Sequence, residues 1–223
     1  MNSGNSTLLK RLWKDCDGAH LVEFTLVLPV LLLVALGTVD VGLLLFDWNS
    51  ANKAAYRGAR EAIVWDPVAS EVVSLPPWDD ETVIGHRCFV LATGALDGAK
   101  CPAINTVCTA GSCSGGETFD NVAFTHIFDK MRDTFPRLTP ANVSISYETN
   151  NLGFVGRQHG LPMNVTVSIR CMTAESYFLG ALMAWVFTPP AGCGGVAMAP
   201  GWPLPAFATT LPSEDLDRLD DPT

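Results

Sequence analysis

Residues 18–46 read G-A-H-L-V-E-F-T-L-V-L-P-V-L-L-L-V-A-L-G-T-V-D-V-G-L-L-L-F. From Leu21 to Phe46 this run is apolar apart from its glycines, two threonines and two carboxylates, Glu23 and Asp40. A helix needs roughly 20 apolar residues to cross a bilayer, and the run exceeds that length. It therefore predicts one transmembrane helix, around which the rest of the chain is organised.

The start of this run contains an unusual acidic residue. An ionised carboxylate such as that of Glu23 costs on the order of 3 kcal/mol at the centre of a membrane. Counting from Gly18, the sequence is a glycine, four residues, then Glu23 and Phe24. This order resembles the type IV prepilin cleavage signal. The resemblance implies that a prepilin peptidase cuts between Gly18 and Ala19 on the cytoplasmic side, which leaves the glutamate as the fifth residue of the mature protein.

Two further segments extend the resemblance. They are G-T-V-D-V-G at residues 37–42 and A-N-K-A-A-Y-R-G-A-R-E-A at residues 51–62. Both look like the TadE-like family, the minor pseudopilins of the tight-adherence (Tad or Flp) pilus machinery, whose members carry a late acidic residue and then an Ala-Ala-Arg-x-Gly-Ala-Arg run. Asp40 stands at the acidic position, where glutamate is commoner, and Tyr56 stands where the first arginine is usual.

The resemblance implies a structural role. The expected protein is a pilin-like subunit, processed by a prepilin peptidase and packed with other pilin-like subunits in the membrane. Glu23 would neutralise the new terminal amine of a neighbouring subunit inside the low-dielectric bilayer. No cofactor is implied.

Two other interpretations of the apolar run stay open. It could be an ordinary uncleaved signal anchor, or a secretory signal peptide cut after Ala35-Leu36-Gly37. Against the secretory cut, the apolar run resumes at Val39, so cleavage would leave an apolar segment at the new terminus.

Composition limits the remaining function classes. The 223 residues suffice for a membrane helix and one domain. A net charge of -9, with only 14 scattered Lys and Arg residues, argues against nucleic-acid binding. The chain contains none of the motifs G-x-S-x-G, H-E-x-x-H and the phosphate loop, and its 4 histidines share no motif, so an enzyme is not predicted.

The cysteines predict disulfides in an oxidising compartment. Of 7 cysteines, Cys16 precedes the proposed cut, and an even set follows it: Cys88, Cys101, Cys108, Cys113, Cys171 and Cys193. Cys108 and Cys113 could close a small loop, although their spacing also approaches that of a zinc pair. No second pair matches that spacing, so disulfides are favoured over metal-bound or free thiols and no metal site is assigned.

The topology follows from the cleavage site and the cysteines. Lysines and arginines are balanced on the two sides of the helix, so their count does not decide the orientation. A prepilin-type site must face the cytoplasm, and disulfides need the opposite side. We therefore expect a single-pass protein of the inner (cytoplasmic) membrane with its carboxyl-terminal domain on the extracytoplasmic side. Such a protein could be incorporated in a pilus.

Beyond the membrane segment, the helix should continue to Trp65, before Asp66-Pro67. Small residues on this extension would either admit a neighbouring backbone or pack on the chain's own domain: Ala51, Ala54, Ala55, Gly58, Ala59 and Ala62. The following patterns predict a helix at 80–95, a helix at 120–135 and a buried or interfacial helix at 173–187, together with an antiparallel pair of strands at 142–148 and 163–171. The second helix should begin at an Asp120 cap and bury an apolar stripe that runs from Phe124 to Phe135. Residues 101–113 lack periodicity and read as a pinned loop.

The sequence thus predicts an α+β fold in which a long amino-terminal membrane helix continues into a small exported domain with an antiparallel sheet and packed helices. The expected parts are a cleaved leader (1–18), a transmembrane helix (19–46), its extension (47–65), the exported domain (66–198) and an exposed Pro-rich acidic tail (199–223). The alternative function is a membrane-anchored binding module whose disulfide-pinned loops recognise a ligand.

Overall fold

The computed structural model describes residues 19–72, 85–88, 103–150, 154, 163–178, 180 and 202–213. Within these residues, two α-helices and seven strands follow one another: α1 (Ala19–Ala62), β1 (Asn105–Thr109), β2 (Ser112–Cys113), α2 (Asn121–Arg132), β3 (Val143–Thr149), β4 (Met163–Ile169), β5 (Thr173–Ala174), β6 (Trp202–Pro203) and β7 (Phe207–Ser213). The α+β class predicted from the sequence is confirmed.

Helix α1 contains the whole predicted apolar run and its extension, with Pro29 inside. The helix ends at Ala62, slightly earlier than predicted. There the amides of Val64 and Trp65 both donate to the carbonyl of Glu61, which closes the last turn before Asp66-Pro67. Membrane helices tolerate an internal proline because neighbouring groups can satisfy the freed carbonyl.

The main sheet has five strands in the order β2-β1-β3-β4-β7, and every pair is antiparallel. The predicted pairing of β3 with β4 is confirmed, with Val143 opposite Ile169 and Thr149 opposite Met163. Alternate residues of both strands are buried on one face, as a half-buried sheet requires. That face forms the core of the domain.

Helix α2 packs on α1, which itself lies over β4 and β7 of the sheet, and α2 buries its predicted apolar stripe. The side chain of Asp120 caps the helix, because its carboxylate accepts hydrogen bonds from the amides of Val122 (2.7 Å) and Ala123 (3.1 Å). The predicted stripe is buried and comprises Phe124, Ile127, Phe128, Met131 and Phe135. Helix, cap and stripe are confirmed together.

The small-residue face of α1 packs on the chain's own domain. All five of its alanines are at most 1% exposed. At Gly58 an added Cβ would lie 2.5 Å from Sδ of Met131 and 3.2 Å from a methyl group of Val167. The glycine thus marks the place where α1, α2 and β4 approach most closely, and of the two interpretations left open for these residues the intramolecular one is confirmed.

Four sequence expectations are wrong where the structure describes them. Within the predicted helix 80–95, residues 85–88 form a turn and a single bridge from Arg87 to Phe154, and the rest lies outside the described residues. The start of the predicted helix 173–187 is instead strand β5, paired with β6. Gly180 within that range is helical, and most of the remaining residues lie outside the described part of the chain. Residues 105–113 form a β-hairpin rather than an aperiodic loop.

The fourth correction concerns the tail. Residues 207–213 form β7, which pairs with β4 along its whole length, from Phe207 opposite Ile169 to Ser213 opposite Met163. Phe207 is buried and its ring meets Trp48 of α1 edge-on, with 5.2 Å between ring centroids. An exposed or loosely docked tail was predicted from its prolines and its acidic end. Strand β7 is nevertheless compatible with Pro212, because it is an edge strand, where proline is tolerated.

Candidate functional site

The predicted functional positions lie along α1. Among the described helices, only α1 is long and apolar enough to cross a membrane, with a mean hydropathy of 2.4 in its most apolar window. Every side chain from Leu21 to Ala35 is exposed, including that of Glu23. Ala19 is the first residue of α1 as described, whereas Gly18 lies outside the described residues.

Asp40 is in a different situation from Glu23, because the domain encloses it. Its side chain is only 3% exposed. The hydroxyl of Ser176 donates to its carboxylate at 2.9 Å, and the backbone amides of Tyr177 and Phe178 donate at 3.1 and 3.0 Å. Hydrogen bonds to a charged group contribute roughly 1.5–3 kcal/mol each. The carboxylate therefore stabilises the conformation of the chain at 176–178.

A second attachment joins the same segment to α1 farther along the helix. The guanidinium of Arg137 pairs with Asp47 of α1. It also donates to the carbonyl of Thr173 at 2.9 Å and lies 3.4 Å from Glu175. Residues 173–178, hereafter the docking loop, are thus attached to α1 at the levels of Asp40 and Asp47, which lie about 10 Å apart along a helix.

Sequence reasoning identified Asp40 but missed the docking loop. The predicted helix at 173–187 would have free amides only in its first turn, and nothing in the sequence directed them to Asp40. The available signal was Asp40 itself, because a carboxylate in an apolar helix requires polar partners. Nothing in the local sequence at 176–178 distinguishes those partners from any other Ser-Tyr-Phe segment.

The carboxyl end of α1 is held by aromatic groups. The ring of His126, to which the sequence assigned no role, stacks on Trp65 with 3.6 Å between centroids and has Nε2 3.5 Å from Glu61. The buried hydroxyl of Tyr147 accepts a hydrogen bond from the amide of Val68, and burial raises the pKa of this phenol far above its ordinary value. These contacts fix the helix to the sheet.

The cysteines follow the disulfide prediction where they are described. Cys108 and Cys113 form a disulfide across the β1–β2 hairpin, with Cα atoms 4.0 Å apart. Cys88 and Cys171 are also disulfide-bonded. Cys101 and Cys193 lie outside the described residues, so the complete pairing stays a prediction. Among the described residues, no group of three or more His, Cys, Asp or Glu side chains could hold a metal ion.

Comparison with known proteins gives a family match for most of helix α1. Residues 18–60 match the family described as TadE-like protein. This part of the chain is TadE-like. No curated protein and no solved structure matches the chain.

The matched segment contains the predicted positions on α1 and the small-residue face as far as Arg60, and it stops before the sheet and α2. The match is a likeness to a family of Tad pilus-associated proteins over this segment alone. Together with the single apolar helix, it indicates membrane anchoring.

Proposed function

We propose that the protein is a minor pseudopilin, a structural subunit that takes part in assembling a Tad/Flp-type pilus. In this proposal a prepilin peptidase removes residues 1–18, residues 19–46 span the cytoplasmic membrane, and the domain lies on the extracytoplasmic side. The observation that carries the proposal is the TadE-like match over residues 18–60, because it includes both the cleavage-like site and the small-residue face.

The exposure of α1 supports an assembly role. From Leu21 to Ala35 the helix has large apolar side chains that the described part of the chain leaves uncovered, such as Leu26 at 70% exposed. So large an apolar surface requires lipid or other apolar helices around it. Helices of other pilin-like subunits are the partners that the family match favours.

Glu23 provides the proposed recognition group. Cleavage after Gly18 would create an ammonium group on Ala19, and a neighbouring subunit shifted along the helix axis could place this group beside Glu23. Two opposite charges 4 Å apart attract with about 4 kcal/mol at an effective dielectric constant of about 20. That attraction would set the axial register of adjacent helices.

Folding does not depend on the same carboxylate. Glu23 precedes Asp40, the first attachment of the domain to α1, by about 25 Å along the helix. The core contacts of α1 begin still later, at Leu44. Loss of Glu23 should therefore leave the exported domain intact.

The test is complementation of a strain that lacks the protein. Glu23→Ala and Glu23→Gln should reach the membrane in normal amounts but should restore few or no pili and should not co-purify with pilus subunits. Glu61→Ala is the matched control, because Glu61 is a partly exposed carboxylate on the same helix outside the apolar run. Intact-mass measurement of each membrane-extracted protein reports whether residues 1–18 are missing.

Normal piliation by both Glu23 variants would contradict the assembly role and favour the alternative of a tethered binding module. A wild-type mass that still includes residues 1–18 would exclude the processing step. Because the two readouts are independent, processing and assembly can fail separately.

A further inference from the structure

The docking loop exposes two aromatic side chains beside the buried carboxylate of Asp40. Tyr177 is 68% exposed and Phe178 is 48% exposed. Their backbone amides are held by Asp40, so this part of the backbone has a fixed position next to α1. Two adjacent exposed aromatic residues in a restrained loop indicate a contact surface, because solvated loops carry few such residues.

The level of this loop along α1 coincides with an expected membrane boundary. From Leu21 to Asp40 the helix rises about 29 Å, and the hydrocarbon core of a bilayer is about 30 Å thick. A helix whose hydrocarbon span begins near Leu21 therefore carries Asp40 at the opposite edge of the hydrocarbon, and residues 41–46 of the proposed transmembrane helix then lie in the interfacial layer. The docking loop is bonded to that residue and must lie at the same depth.

Along the axis of α1, the charged groups lie where a membrane boundary near Asp40 would place them. At the level of Asp40, three donors surround the carboxylate. The pairing of Arg137 with Asp47 and Glu175 lies about 10 Å farther out, which is comparable with the depth of the headgroup layer. Tyrosine is enriched at this interface, where its ring contacts acyl chains while its hydroxyl stays polar. The hydroxyl of Tyr177 donates to Glu175 at 3.0 Å, on the side of the charged groups.

We propose that the docking loop is a second membrane contact, in which Tyr177 and Phe178 insert into the lipid interface next to α1. The occupant of this surface is the bilayer, because the surface is continuous with the apolar face of the proposed transmembrane helix. The proposal rests on the membrane anchoring in the proposed function and adds the depth and orientation of the domain. Contact at both the helix and the loop would prevent the domain from tilting freely about α1.

The test places a photoreactive benzophenone amino acid at Phe178 of the full-length protein in bilayers of defined lipid composition. A separate variant carries it at Tyr177. After irradiation, intact mass distinguishes a lipid adduct from a protein adduct. Leu31 is the positive control, since it is 58% exposed within the apolar run, and Tyr56 is the negative control, since it is 52% exposed but lies about 24 Å beyond Asp40 on α1.

The expected result is a lipid adduct at positions 31, 177 and 178 and none at position 56. Labelling at 31 without labelling at 177 or 178 would overturn the interfacial loop while leaving the anchored helix in place. A protein adduct at position 178 would identify another subunit as the partner of this surface and would also contradict insertion of the docking loop into lipid. Absence of a lipid adduct at position 31 would contradict membrane anchoring by α1 and, with it, both proposals.

Discussion

The two halves of α1 differ in what surrounds them although they form one helix. From Leu21 to Ala35 every side chain is exposed and most are large and apolar. From Ala51 to Ala62 the small side chains are completely buried against α2 and the sheet. Between them, Asp40 and Asp47 attach the docking loop.

The difference shows that side-chain volume determines the environment of each half. Large apolar side chains prevent the close approach of another backbone and are compatible with lipid. Alanine and glycine allow the helix to approach the sheet and α2 closely. We therefore expect substitutions to have opposite consequences in the two halves.

The largest expected effect follows from adding volume at Gly58. Gly58→Leu should reduce the free energy of unfolding of the domain by about 3 kcal/mol, because the new side chain would overlap Met131 and Val167 in a filled core. Urea unfolding in detergent micelles measures this loss. Gly42→Leu is the matched control, since among the described residues an added Cβ there meets no atom within 4 Å.

Both substitutions improve helix propensity by a similar amount, so the difference between them isolates packing. Equal unfolding free energies for the two variants would show that α1 does not pack on the domain through Gly58.

A smaller effect is expected at the junction of the two halves. Asp40→Ala removes the acceptor of three hydrogen bonds and should weaken the attachment of the docking loop by about 2 kcal/mol. Hydrogen exchange at the amides of Tyr177 and Phe178 should accelerate accordingly. Asp40→Asn keeps one acceptor oxygen and should give an intermediate rate.

In the same samples, the amides of β3 and β4 serve as the internal reference, and their exchange should not change. Unaltered exchange at 177 and 178 in the alanine variant would show that other contacts hold the loop.

The smallest effect concerns the helix that packs on the small-residue half. Asp120→Ala should reduce the free energy of unfolding by about 1 kcal/mol, because two amides at the start of α2 lose their cap. Asp129→Ala removes an exposed carboxylate of the same helix, paired with Arg132 at 3.0 Å, and should change stability by only a few tenths of a kcal/mol. Thermal unfolding compares them, and an equal loss in both would assign the effect to charge rather than to capping.

Elements with local signals could be predicted from the sequence. The apolar run predicted α1, the Asp120 cap and the apolar stripe with a period of 3.6 residues predicted α2, and the alternation of apolar and polar residues predicted β3 and β4. Strand β7 could not be predicted in this way, because an edge strand that contains Pro212 gains its stability from pairing with β4. The docking loop was missed for the same reason, since its order depends on a carboxylate about 136 residues earlier in the chain.

The sequence by itself determined the long helix, the positions of its acidic residues, the TadE-like segment and the even set of cysteines, because each depends on residue type and spacing along one segment. Only the tertiary structure decided that the small-residue face packs on the chain's own sheet, that the tail supplies an edge strand, and that Asp40 is enclosed while Glu23 is exposed. These outcomes depend on contacts between segments distant in sequence, and local periodicity contains no information about which distant group satisfies a buried carboxylate or covers a helix face.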